Sequence, residues 1–145
     1  MTDTRILLPA VALVGVTFLV LMQVPIRRFR AAFAGKVDAN DFKYGESDRV
    51  PGQVSIPNRN LMNLLEMPML FYVCCLALYV TRTTDLVALG MAWAYVVLRE
   101  GHSLVHLSYN KVMHRLTLFA LSNFVLGALW MKLAASIWFG PASFE

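Results

Sequence analysis

Charge is scarce in this chain. Asp, Glu, Lys and Arg make up 15% of its 145 residues, against 58% hydrophobic residues, well to the apolar side of a soluble globular domain. That scarcity excludes a water-facing surface over most of the molecule and leaves lipid as its solvent, so the class is a polytopic membrane protein of one domain. Cysteine is scarce as well: only Cys74 and Cys75, side by side in an apolar run. Neighbours on a helix point in different directions, which excludes a helical disulfide or a metal pair. A thiol in such a run also loses the solvation that favours thiolate, so both read as apolar fillers. Internal repeats and low-complexity tracts are absent.

Long apolar runs are what the chain does have. The first, Ile6 to Ile26 (ILLPAVALVGVTFLVLMQVPI), reaches about 31 Å as a helix, enough to cross the hydrocarbon. It is long for a signal peptide, lacks a small-residue cleavage site, and ends in RRFR, which resembles a membrane stop. Pro9 and Pro25 fall near its ends, where a missing backbone donor is tolerated. Further spans are expected at about 59–80, 86–108 and 115–139, the second and third joined by the short TRTTD as an antiparallel hairpin. Trp138 is placed like an interfacial anchor. The expectation is an all-α, four-helix integral membrane bundle over residues 1–145.

Basic residues are unevenly spread. Arg27, Arg28, Arg30, Lys36, Lys43 and Arg49 lie between the first two runs, and Lys111 and Arg115 between the last two. Arg59 lies just beyond the first of these connections, the N-terminal tail holds only Arg5, the second connection only Arg82, and no basic residue follows Lys132. The positive-inside rule then puts both basic connections in the cytoplasm and both termini on the other side. Bases at membrane flanks, and not along one soluble face, exclude nucleic acid as a partner. The first connection, about 27–57, is long for a compact domain and reads equally as a functional cover or a solvated linker.

Polar residues within the runs are the remaining signal. Arg59, Asn63 and Glu66 stand at i, i+4 and i+7, on one face of the second span. Ionisable groups at such depth face the bundle interior and pair there, which is compatible with an interhelical ion pair or a ligand site. In the third span Arg99, His102, His106 and Asn110 form a second stripe. Its histidines at i, i+4 have metal-ligand spacing, but no acidic or thiol ligand stands beside them except Glu100, which points elsewhere. A hydrogen-bonding stripe facing Arg59 and Glu66 is the more economical reading, with no metal expected. Arg115 lies five residues past Asn110, so an unbroken helix turns it away and leaves it a flanking charge. It joins the stripe only if the chain reverses between Tyr109 and His114, a stretch without Gly or Pro.

RNLMNLLEMP followed by REGHSLVHLSYNKVMHR resembles the membrane-associated proteins in eicosanoid and glutathione metabolism, the MAPEG family, bacterial members included. The likeness covers essentially the whole chain. Its most specific part is the R-x-x-x-N-x-x-E pattern at Arg59, Asn63 and Glu66, followed by a polar third span leading to an arginine that opens the fourth. The resemblance implies a homotrimer in the bacterial inner membrane with both termini periplasmic. It also implies glutathione as thiol co-substrate, bound between subunits near the cytoplasmic face, and an apolar small-molecule substrate arriving from lipid. By position, Arg59, Asn63 and Glu66 would hold the peptide, with His102 and His106 lining the site and Arg99 and Asn110, on the same stripe, binding glutathione as well. Arg27 or Arg28 would be the first-span contribution, and Arg115 would activate the thiol. The expected function is a glutathione-dependent transferase or peroxidase. The alternatives are a non-catalytic binder of a lipid-like ligand, which the family also contains, and a purely structural bundle. Met67 and Pro68 stand where several members carry a tyrosine after the glutamate, histidines replace the third-span tyrosine pair, and Gly35 to Pro57 matches no motif.

Overall fold

The computed structural model describes residues 4–139, all helix and connecting turns. A 3₁₀ turn, Thr4–Ile6, leads into α1 (Leu7–Phe33); α2 covers Gly52–Val80, α3 Leu86–Leu107 and α4 Val112–Phe139. The fold is an all-α, four-helix membrane bundle. Three of its helical stretches, Thr4–Phe33, Gly52–Val80 and Val112–Phe139, are long and apolar enough to cross a membrane. α3 is long enough by its 22 residues, but Arg99, Glu100, His102 and His106 make its second half polar.

The helices run further than the apolar runs that mark them. α1 continues through RRFRAAF and stops where Gly35 takes φ 66°, with its N–H on the Ala32 carbonyl and that of Lys36 on Ala31. This left-handed glycine termination satisfies two orphan carbonyls. Pro25 therefore lies inside α1 and not at its end. α2 starts at Gly52, so Pro57 lies inside it too. Proline has no N–H for the carbonyl four residues back, which here is that of Gln53. That carbonyl instead accepts from Arg27 Nη1 at 3.0 Å.

Between α1 and α2 the connection 34–51 is an ordered cap. Its 3₁₀ turn, Ala39–Phe42, begins with a capping box between Asp38 and Asp41. Asp41 is buried and accepts from Ser47 Oγ at 2.8 Å and from Arg49 Nη2 at 2.8 Å. A small cluster of Ala31, Val50 and Val54, joined by Val37 and Phe42, packs the cap onto the helix ends.

α1 packs chiefly on α2 and α3 chiefly on α4, while α2 and α3 each also touch the remaining helices. Being central, α2 buries two adjacent residues, Cys74 and Cys75, in protein and not in lipid. Around them lie Leu64, Phe71, Leu78, Ala92, Tyr95 and Leu129, with the Phe71 and Tyr95 rings stacked at 4.4 Å. At the opposite end from the cap, Asp85 caps α3 by accepting from the Ala88 N–H at 2.7 Å and pairs with Lys132 of α4 at 2.8 Å. Large apolar side chains such as Phe18, Leu19, Phe124 and Met131 stand outward, a surface that suits lipid or another copy and not water.

Candidate functional site

The inward side of α3 carries Arg99, His102, Ser103 and His106, all buried. Their spacings of three, one and three residues keep them on one helical face. Arg99 is wholly enclosed; its Nε donates to Tyr95 Oη at 3.1 Å and its Nη2 to Asn123 Oδ1 at 3.2 Å. Its guanidinium carbon also lies 5.0 Å from the Phe119 ring centre, within cation–π range. No carboxylate pairs with it among the described residues, and its Nη1 has no partner there.

Past Leu107 the chain does reverse, and an asparagine permits it. Asn110 adopts φ 51° and donates its N–H to the Val105 carbonyl at 2.8 Å. Asparagine is among the few L-residues that enter this left-handed region readily, so neither Gly nor Pro is needed. Asn110 therefore leaves the α3 stripe on which its spacing puts it. α4 begins two residues later, and the turn swings Arg115 back toward α3. The Arg115 carbonyl lies 3.0 Å from His102 Nδ1, and its Nη1 donates to Asn110 Oδ1 at 2.8 Å. A carbonyl only accepts, so His102 Nδ1 carries its proton and, in the neutral ring, Nε2 is an open acceptor.

An open cleft of about 240 Å³ forms here, lined by Asn63, His102, Val112, Arg115, Leu116 and Phe119. It brings together one expected polar residue from each of α2, α3 and α4. His106 lies within electrostatic reach of Arg115, His102 and Arg59, its ring centre 5.9 Å from that of His102. His102 Nε2, both ring nitrogens of His106 and Arg115 Nε are buried without a hydrogen-bond partner. Such a cluster is rare in a finished core, where buried polar atoms are satisfied, and its donors and acceptors suit a polar ligand with carboxylate and amide groups.

On α2 the polar residue bonded to the α3 stripe is Asn60, fully buried and accepting from Ser103 Oγ at 3.3 Å. Arg59 and Glu66 are exposed, and half-buried Asn63 turns its Nδ2 onto the Arg59 carbonyl at 3.0 Å. The α3 stripe thus bonds to Asn60, while Arg59 reaches its His106 only electrostatically and Glu66 makes no bond to it. Arg59 and Glu66 share a face with Asn63 but point away from the core of the chain. Glu66 makes no ion pair or hydrogen bond among the described residues, and exposed Met62, Leu65 and Met69 surround it in sequence.

Arg27 and Arg28 are engaged elsewhere. Arg27 bridges the Gln53 carbonyl and, at 3.4 Å, the Leu107 carbonyl at the end of α3. Arg28 pairs with Glu46 of the cap at 3.0 Å and lies 4.4 Å from the Phe42 ring centre. No group of three His, Cys, Asp or Glu residues able to hold a metal occurs among the described residues. Asn60, Ser103, Phe119 and Asn123 escaped the sequence reading. Asn123, a lone amide in the apolar fourth run, was the available signal for one of them.

The family model described as "MAPEG family" matches residues 6–135. No curated protein and no solved structure gives a significant match.

Proposed function

The chain belongs to the MAPEG family, and from that premise we propose that it is a glutathione-dependent transferase or peroxidase acting on apolar electrophiles in the membrane. One observation carries the reading: Asn63, His102 and Arg115, from three helices, share a cleft in which His102 Nε2 and Arg115 Nε lack partners. Glutathione offers two carboxylates, an ammonium, amides and a thiol. Arg59 and Asn63 suit its carboxylate and amide groups, and Glu66 its ammonium. The histidines supply neutral hydrogen-bonding groups beside them.

In this reading Arg115 stabilises the thiolate. A cation beside sulfur lowers the thiol pKa and raises the thiolate fraction at neutral pH, the proton leaving to water at the cleft mouth. For conjugation the sulfur lone pair attacks an electrophilic carbon and the leaving group departs with its electron pair. For peroxide reduction the thiolate attacks the terminal oxygen of a hydroperoxide and the O–O bond breaks; the alkoxide leaves and takes a proton from water, and a second glutathione reduces the resulting sulfenic acid, giving a disulfide and water. The apolar groove of about 340 Å³ along α1 and α2, lined by residues such as Phe18, Leu65 and Met69, suits the lipid-borne substrate. The assembly is a homotrimer in a bacterial inner membrane, with the cap cytoplasmic and both termini periplasmic.

The test is glutathione binding to detergent-purified protein, followed by conjugation and hydroperoxide assays with and without the thiol. Glutathione-dependent turnover supports the proposal. Lipid binding with no thiol-dependent turnover replaces it with the non-catalytic alternative.

A further inference from the structure

We infer that Asn110 is the positioning residue that aims Arg115 at the ligand thiol, and that it does not itself bind the ligand. The inference rests on the proposed glutathione chemistry and deepens it. Two independent demands meet at this position. The backbone must take φ 51° to end α3 and start α4 within four residues, which excludes β-branched and most other L-residues at low cost. The side chain must also reach forward to hold Arg115 Nη1, at 2.8 Å. Glycine meets only the first demand and serine or alanine neither fully; asparagine meets both.

The chemistry of the amide matters as much as its reach. Asn110 Oδ1 is a neutral acceptor, so it fixes the guanidinium without cancelling its charge. Arg115 Nε has no partner while the residue lines the cleft, so the Asn110 bond leaves part of the fork's donor capacity unspent. A second restraint acts on the backbone, since His102 Nδ1 holds the Arg115 carbonyl at 3.0 Å. The turn is braced on its outer side by Tyr109 Oη and His114 Nδ1 at 2.9 Å. Arg115 is thus pinned at main chain and at one guanidinium nitrogen, which leaves little freedom at the group that must meet the sulfur. Preorganised charge acts without reorganisation at the moment of reaction, and small misplacements of such groups are costly.

The test uses Asn110→Gly and Asn110→Asp in full-length, detergent-purified protein, with Arg115→Ala as reference. Asn110→Gly keeps the turn and loses the tether. Its expected signature is glutathione affinity near wild type, turnover lower by about tenfold or more, and a bound-thiol pKa moved toward that of free glutathione. That pKa is read by thiolate absorbance against pH. Asn110→Asp keeps the turn and the tether but neutralises the cation, so it also raises the bound-thiol pKa. If Arg115→Ala shifts the thiol pKa and both Asn110 variants leave it at the wild-type value, the inference is overturned while the proposed function stands. The same holds if Asn110→Gly weakens glutathione binding with the thiol pKa unmoved, since Asn110 is then a ligand-binding residue. If Arg115→Ala itself leaves the thiol pKa unchanged, the proposed function fails first and takes the inference with it.

Discussion

Arg99 and Arg115 both belong to the α3–α4 contact, yet their surroundings assign them different work. Arg99 is sealed between Tyr95, Phe119 and Asn123, whereas Arg115 lines an open cleft with its Nε unpartnered. Arg115→Ala should therefore lower turnover by on the order of a hundredfold or more while glutathione still binds through Arg59, Asn63 and Glu66. Arg115→Lys keeps the charge without the planar fork, so partial recovery is expected. Steady-state rates beside equilibrium glutathione binding check both; equal losses of rate and affinity would make Arg115 a binding residue. Arg27 differs again, because it serves carbonyls left open by Pro57 and by the end of α3. Arg27→Ala should lower the thermal midpoint of the purified protein. A loss of glutathione affinity with no change in that midpoint would return Arg27 to the ligand role implied by the family likeness. At this scale the types and spacing of Arg59, His102 and His106 were legible in the sequence. Which of them face inward was not, since that depends on how α2 is rotated against α3. Asn60, and not its neighbour Arg59, turned out to be the inward residue.

Helix boundaries followed a physical logic that hydropathy does not register. Apolar runs report the lipid-facing length, but α1 and α2 extend past it into the cap because backbone hydrogen bonding continues until a termination residue such as Gly35 intervenes. The reversal before Arg115 was hidden for a related reason: its turn residue is an asparagine, a weaker signal than glycine. The cap itself matched no motif and is legible only in three dimensions, where Asp41 gathers Asp38, Ser47 and Arg49. The backbone N–H of Asp38, then the Ser47 hydroxyl, hold the Asp41 carboxyl below its ordinary range. A carboxylate with a depressed folded pKa contributes stability above its unfolded value, about 3.9, and that contribution is lost as pH falls through the folded value. The cap should therefore resist protease across neutral and mildly acidic pH and loosen only below about pH 4. Asp41→Asn should make cleavage within 34–51 faster at neutral pH and remove the acid-dependent step. Limited proteolysis with an acid-tolerant protease, followed by mass mapping of the cuts, checks both. A step that persists in Asp41→Asn would place the titrating group elsewhere.

The whole molecule presents an imbalance that one copy does not resolve. Its outer surface is rich in Phe, Leu and Met, as lipid requires, but Arg59 and Glu66 are exposed on it as well. A carboxylate facing hydrocarbon is expensive, and such groups are found facing a bundle interior or a polar partner. By the positive-inside rule, the basic residues of the cap predict that this end of the bundle faces the cytoplasm. In a background lacking Cys74 and Cys75, a cysteine at Lys43 should therefore react with impermeant maleimide only after cell lysis, and labelling of intact cells would invert the topology. Within that orientation, a symmetric assembly lets the rim of one subunit meet a neighbour, turning an open cleft into a shared one. The assembly proposed above has three copies. Cross-linking in native membranes should then give a ladder that ends at three, and glutathione should slow exchange of subunits between differently tagged assemblies by bridging them. A ladder ending at two would reject the trimer, and exchange indifferent to glutathione would mean that Arg59 and Glu66 find their partner within one subunit or in lipid headgroups.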